Sequence, residues 1–158
     1  NHTCGWWRTP ELMMTSKNII SLLPYEFPFL FVDEILEIDE DSVLGTYVFS
    51  KDLPFYRGHF KDNPITPGVI LTETMAQIGL VCLGIYLLNK HDELETDIKI
   101  AMTSNAIDYF LPVLPKEKVW VKSNKEYFRF NKLKCKVEMY NEKEQLVCRG
   151  SISGMLKA

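Results

Sequence analysis

Residues 54–77 read Pro-Phe-Tyr-Arg-Gly-His-Phe-Lys-Asp-Asn-Pro-Ile-Thr-Pro-Gly-Val-Ile-Leu-Thr-Glu-Thr-Met-Ala-Gln. The first half is dense in turn residues, with Pro54, Gly58, Asp62, Asn63 and Pro64 inside eleven positions. The second half opens a long apolar run to about Leu88, with Thr66 placed as N-cap, Pro67 as first helical residue and Gly68 next. Twenty-two residues of helix over 67–88 would span roughly 33 Å. The run is apolar on nearly every side, so other elements must wrap it, and a curved sheet is the economical wrapper. By length it could be taken for a membrane span. Glu73, Gln77 and the Pro-Gly entry instead favour a buried core helix.

The chain on either side supplies that sheet. Thr15 or Ser16 can cap a short helix through Leu23, which Pro24 ends. Residues 25–33 are too apolar for an exposed loop and contain Pro28, so an extended segment packed on the core is expected before a first strand at about 31–38. Residues 39–42 form a polar turn, and 43–50 a second strand paired with the first. After a polar loop from Asn89 to Asp97, which makes His91 a surface residue, strands are expected at 98–102, 106–113, 117–127, 130–140 and 145–156. Residues 132–139 alternate cleanly, with Leu133, Cys135, Val137 and Met139 on one face and Lys132, Lys134, Lys136 and Glu138 on the other. The fold expected is α+β, a curved antiparallel sheet around one central helix.

The totals limit the function. The 158 residues suffice for one domain with its own core, and 46% hydrophobic with 25% charged residues is ordinary for a soluble protein. A net charge of −3 argues against a nucleic-acid partner. Cys4, Cys82, Cys135 and Cys148 lack ligand spacing and read as small apolar residues of a reducing compartment, with no metal or disulfide role. Residues 1–14 show no signal peptide. With Met13 and Met14 ahead of a clean helix start, they read as an N-terminal extension, native or artificial, to a single domain at 15–158. A soluble cytoplasmic protein without membrane insertion is expected.

Within the opening stretch, His59 on a proline-punctuated loop suits removal of a proton near neutral pH, although a loop histidine held by a carbonyl reads equally simply. Glu73 stands two turns into the apolar helix, where desolvation would raise its pKa as a general acid requires; the plain alternative is an exposed helix carboxylate. The N–H of Gly68, in the first helical turn, could stabilise negative charge on a carbonyl oxygen, or Pro67-Gly68 could be simple helix entry. A base, an acid and a carbonyl donor together suit loss of water from a β-hydroxyacyl thioester, a reaction that needs no metal or redox cofactor. No P-loop, G-x-G-x-x-G, G-x-S-x-G or H-E-x-x-H motif is present.

Gly58-His59-Phe60, Asn63-Pro64-Ile65, Pro67-Gly68-Val69 and Glu73-x-x-Ala76-Gln77 closely resemble the signature of FabZ-type β-hydroxyacyl-[acyl-carrier-protein] dehydratases. Leu23-Pro24, Pro28-Phe29-Leu30-x-Val32-Asp33 and the weaker Pro112-Val113-x-Pro115 resemble its flanking segments, so the similarity runs from about residue 16 to 156. The resemblance implies a hotdog fold, homodimers that often assemble into hexamers, and active sites that take the histidine from one chain and the acid from its partner. It implies His59 as the base at the α carbon, Glu73 as the acid for the departing hydroxyl, Gly68 as carbonyl donor and Gln77 as the residue orienting Glu73. An acyl tunnel would involve Phe27, Phe29, Ile70, Tyr109 and Phe110. The partner implied is an acyl carrier protein bearing a β-hydroxyacyl chain.

Three departures stand out. Tyr25-Glu26 occupies the place of a usual His-Arg, Glu34 the place of a base, and Phe110-Leu111 the place of bases before Pro112-Val113. They should weaken a standard carrier-docking surface. Residues 116–136 nevertheless carry eight basic against two acidic residues, a local charge of +6 that is either a solvated strand face or an attraction for an acidic carrier. The pathway expected is fatty-acid synthesis or a specialised polyketide or pigment pathway. Two alternatives remain: a hotdog thioesterase using Glu73 to activate water, and a non-catalytic acyl-binding subunit of a hetero-oligomer.

Overall fold

The computed structural model describes residues 16–89 and 98–157. The expectations for Cys4, His91 and residues 1–14 lie outside them. A short helix, α1 (Ser16–Ser21), leads into β1 (Glu34–Ile38) and β2 (Ser42–Val48). The long central helix α2 covers Gly68–Asn89. Then follow β3 (Lys99–Tyr109), β4 (Lys118–Arg129), β5 (Lys132–Tyr140) and β6 (Leu146–Lys157). The six strands form one sheet in the order β1-β2-β4-β5-β6-β3, each pair antiparallel. The sheet packs around α2, giving the expected hotdog architecture.

The burial pattern shows why this sequence chooses it. Leu133, Cys135, Val137 and Met139 on β5 are all buried against the helix, so the period-2 alternation sets which face of the strand is covered. Along α2, Ile78, Leu80, Cys82, Leu83 and Ile85 are at most 1% exposed. Each large apolar side chain removed from water contributes about 1.5–3 kcal/mol before entropy is counted. The helix is apolar and long enough to cross a membrane, but most of its apolar window is buried inside the domain. Where helix and sheet approach most closely there is no room for a side chain. A Cβ at Gly79 would sit 2.9 Å from both Ser123 Cβ and Val137 Cγ1, and Ser123 Oγ donates to the Gly79 carbonyl at 2.9 Å.

Several elements differ from the sequence-based expectation. The helix begins at Gly68 with Pro67 as its cap residue, and no side chain caps it. Thr66 has other partners: its hydroxyl lies 2.5 Å from Tyr56 Oη, and its N–H donates to the Val113 carbonyl. Ser16 likewise spends its hydroxyl on Ile35 N–H, which ties α1 to β1. Residues 77–82 of α2 are wound as π-helix, a widening that apolar content does not encode. Asn89 ends that helix, buried and donating to the Ile85 carbonyl, where a polar loop was expected to begin.

The two strands expected at 98–102 and 106–113 are one strand, β3, with a bulge between Met102 and Ser104. It crosses to the far edge beside β6 rather than pairing with its sequence neighbour. Phe130 and Asn131, placed at the start of a strand, are the two-residue turn between β4 and β5, both at positive φ as a tight hairpin requires. The segment before β1 is only partly core. Phe31 and Val32 are buried, but Phe27 and Phe29 are exposed, against the expectation of a wholly packed segment.

Candidate active site

The loop around His59 is closed by its own backbone. The short turn Pro54–Arg57 lets His59 N–H donate to the Phe55 carbonyl at 3.2 Å. Ile65 N–H donates to the His59 carbonyl at 2.8 Å, and Phe60 and Asn63 exchange two further bonds. The imidazole Nδ1 lies 3.0 Å from the Ile65 carbonyl oxygen, which can only accept, so that bond places the ring proton on Nδ1. In the neutral ring Nε2 then carries the lone pair, the form a base requires. The carbonyl contact is present, and it does not compete with use of Nε2 as a base. His59 is half-buried and stacks on Phe60, ring centroids 4.3 Å apart.

Glu73 is held by different means. It is half-buried in the second turn of α2, and burial pushes its carboxyl pKa up while a hydrogen bond from Gln77 pulls it partly back. That bond, Gln77 Nε2 to Glu73 Oε2, is 3.0 Å long. Gln77 is completely buried. Its Nε2 also donates to the Phe29 carbonyl at 2.9 Å, and its Oε1 accepts Phe31 N–H at 2.8 Å. One amide thus fastens the segment before β1 to the helix and aims its remaining donor at the carboxylate. The π-wound stretch begins at this same residue.

Gly68 lies on another part of the helix surface. The Tyr109 ring packs against it, and a Cβ built on Gly68 would lie 3.3 Å from Tyr109 Cε1. Thr66, Gly68, Leu71, Tyr109, Phe110, Leu111 and Pro112 line a cleft of about 300 Å³. Of the tunnel residues named from sequence, Tyr109 and Phe110 reach this cleft. Phe27, Phe29 and Ile70 do not line it; Phe27 is 72% exposed. Among the described residues no hydrogen bond or ion pair joins His59 to Glu73. Thr72, hydrogen-bonded to Tyr109 Oη, received no role from the sequence. The only available signal was a hydroxyl beside Glu73 in an otherwise apolar helix.

The basic run falls on β4 and β5. Because Leu133, Cys135, Val137 and Met139 face the helix, Lys132, Lys134 and Lys136 point to the opposite, solvated face. There Lys122 pairs in register with Glu138; Lys125 instead stands opposite Cys135, on the helix-facing side, and its Nζ lies 3.6 Å from Asp41. Cys82, Cys135 and Cys148 are buried free thiols, each with its pKa raised by burial. Among the described residues no cluster of histidine, cysteine and carboxylates has the arrangement of a metal site.

Comparison with known proteins gives the family and the fold. The FabA-like domain family matches residues 23–150. A 3-hydroxyacyl-[acyl-carrier-protein] dehydratase FabZ of Sinorhizobium fredii is 33% identical over 144 residues, covering 89% of this chain and 88% of that protein. The FabZ of Thermoanaerobacter pseudethanolicus is 43% identical over 77 residues, 48% of this chain and 51% of its own length. A bifunctional LpxC/FabZ enzyme of Porphyromonas gingivalis is 42% identical over 79 residues, which span 50% of this chain but only 16% of that enzyme. Among solved structures, the dehydratase heterocomplex ApeI:P of Xenorhabdus doucetiae superposes with a TM-score of 0.74 at 12% identity, over 89% of this chain and 91% of that one. A hypothetical thioesterase of Streptococcus pneumoniae superposes at 0.57 and 11% identity, over 79% of this chain and 85% of that one. At such identities these two structures show the fold alone, and that fold is the hotdog. The chain belongs to the FabA-like family and, within it, is of the FabZ type.

Proposed function

We propose that the protein dehydrates β-hydroxyacyl thioesters carried on an acyl carrier protein, giving trans-2-enoyl thioesters for fatty-acid or related acyl-chain synthesis in the cytoplasm. The observation that carries this reading is Glu73. Its carboxyl group is partly desolvated, raised in pKa and aimed by a buried amide, so it keeps its proton to higher pH than an exposed glutamate.

The steps follow from the groups present. The thioester carbonyl accepts the Gly68 N–H at the positive end of α2, which acidifies the α carbon. His59 Nε2 takes the α proton. The electron pair of the broken Cα–H bond forms the Cα=Cβ double bond as the Cβ–O bond breaks. The hydroxyl leaves as water with the proton of Glu73, and net transfer of the α proton from His59 to Glu73 resets the pair. No atom is left over, and no electron carrier takes part.

Because His59 and Glu73 make no contact within one chain, the site is proposed to form between two protomers. Large apolar residues next to the site segments remain uncovered in the single chain: Phe60 beside His59 is 56% exposed and Val69 beside Gly68 is 74% exposed. A second copy would cover them, as the family resemblance implies. The test is enoyl absorbance on a β-hydroxyacyl carrier thioester, with His59→Ala and Glu73→Gln alongside. Enoyl formation lost in both variants supports the assignment. Retention in either removes that residue from the chemistry, and thiol release without enoyl product would indicate a thioesterase.

A further inference from the structure

Thr72 and Glu73 are adjacent in sequence but turn to different neighbours. Glu73 is bonded to Gln77, whereas the Thr72 hydroxyl is bonded to Tyr109 Oη, across from the helix to the last residue of β3. Thr74 shows the usual alternative for a helical hydroxyl, since its Oγ1 donates to the Ile70 carbonyl four residues back at 2.8 Å. Thr72 instead makes a tertiary bond. Valine would fill the same space, so packing alone does not call for an oxygen at this buried position.

The bond fixes one particular ring. The Tyr109 ring lies against Gly68, with Cε1 and Cζ at 3.3 and 3.4 Å from the place a Cβ would take. Thr72 is four residues further on, one turn along the same helix face. The ring therefore lies along the first turn of α2, held by the β3 backbone at one end and by Thr72 at the other. Tyr109 is also 47% exposed and lines the cleft that contains Gly68. A half-exposed aromatic side chain without a tether can leave one rotamer for another. Thr72 is a good tether, because it is β-branched, stiff about χ1 and itself buried.

We infer that Thr72 and Tyr109 are a positioning pair: their hydroxyl–hydroxyl bond sets the Tyr109 ring as the fixed wall beside the Gly68 N–H, against which the thioester is aligned. The inference rests on Gly68 as the carbonyl-binding group of the proposed dehydratase. Neither residue exchanges a proton with substrate. Their effect falls on the shape of the surface that the thioester meets in ground state and transition state alike, and so on KM more than on kcat.

The experiment compares Tyr109→Phe, Thr72→Val, the double variant and Thr72→Ser in steady-state dehydration of a β-hydroxyacyl carrier thioester. Loss of one neutral hydrogen bond should raise KM by about two- to tenfold in each of the first two, with kcat within about twofold of wild type. The double variant should be no worse than either single one, and Thr72→Ser should recover the wild-type KM. Unchanged KM in the single variants, additive losses in the double variant, or Thr72→Ser as weak as Thr72→Val would overturn the pair. If wild-type protein forms no enoyl product, the dehydratase reading itself fails. Calorimetric binding of a stable pantetheine acyl-thioether to the same four variants then decides: matched, non-additive losses of affinity support the positioning pair, and equal affinities refute it.

Discussion

Glu73 and His59 are the two groups proposed to move protons, and the molecule holds them in opposite ways. Glu73 stands on a rigid helix beside a completely buried amide, and that amide also joins two parts of the fold. His59 stands on a surface loop, oriented by one carbonyl and a few backbone bonds internal to the loop. A carboxyl acid needs an environment that raises its pKa, and only the interior supplies one. The loop supplies His59 with orientation, through the Ile65 carbonyl and the bonds that close it. The acid is therefore coupled to stability, whereas the base is separable from it.

The largest effect expected is in kcat. His59→Ala and Glu73→Gln should each lower it by about 10²–10⁴-fold, the usual worth of a positioned acid or base. The two should part company in stability. Glu73 has a folded-state pKa raised by burial, so the stability it contributes is present below its unfolded pKa and is lost as pH rises through the folded value. Glu73→Gln should thus raise Tm at neutral and alkaline pH and not at acid pH, while His59→Ala leaves Tm near wild type in calorimetry. A Tm shift of equal size and pH dependence in both variants would break the comparison.

Next in size is Gln77→Met, close in volume but without the amide. It leaves Phe31 N–H and the Phe29 carbonyl without their partner, which should cost about 2–5 kcal/mol in denaturant unfolding. The smallest effect concerns pH. Activity should fall as pH rises through the pKa of Glu73, because the acid must begin protonated. Gln77 lowers that pKa, so Gln77→Met should move this alkaline limb of the kcat/KM profile to higher pH. An unmoved limb would mean that Gln77 serves the fold alone.

The same division decides how much could be read from the chain. β5 and α2 were legible because burial imposes a period or a length on them. β3 was not: most of its residues are exposed, no alternation marks it, and polar Thr103–Asn105 at its bulge divided it into two apparent strands. His59, Gly68 and Glu73 stood out by type and context, as a histidine, a glycine and a carboxylate each where its neighbours made it conspicuous. The bonds of Gln77 to Phe29 and Phe31 span 48 and 46 residues, and no local pattern encodes them. Thr72 received no role from the sequence, since its partner lies 37 residues away. The Thr66 cap failed for a similar reason, because a tertiary partner, Tyr56, claimed the hydroxyl that local rules assign to the helix end.

The central claim is an acid and a base on separate supports, brought together by two copies of the chain. Co-expression of His59→Ala with Glu73→Gln, each inactive alone, tests it most directly. If each site takes its histidine from one protomer and its acid from the other, a mixed dimer holds one intact site. Random pairing should then return about a quarter of the wild-type rate of enoyl formation. No activity from a mixture shown to contain mixed dimers would contradict the shared site.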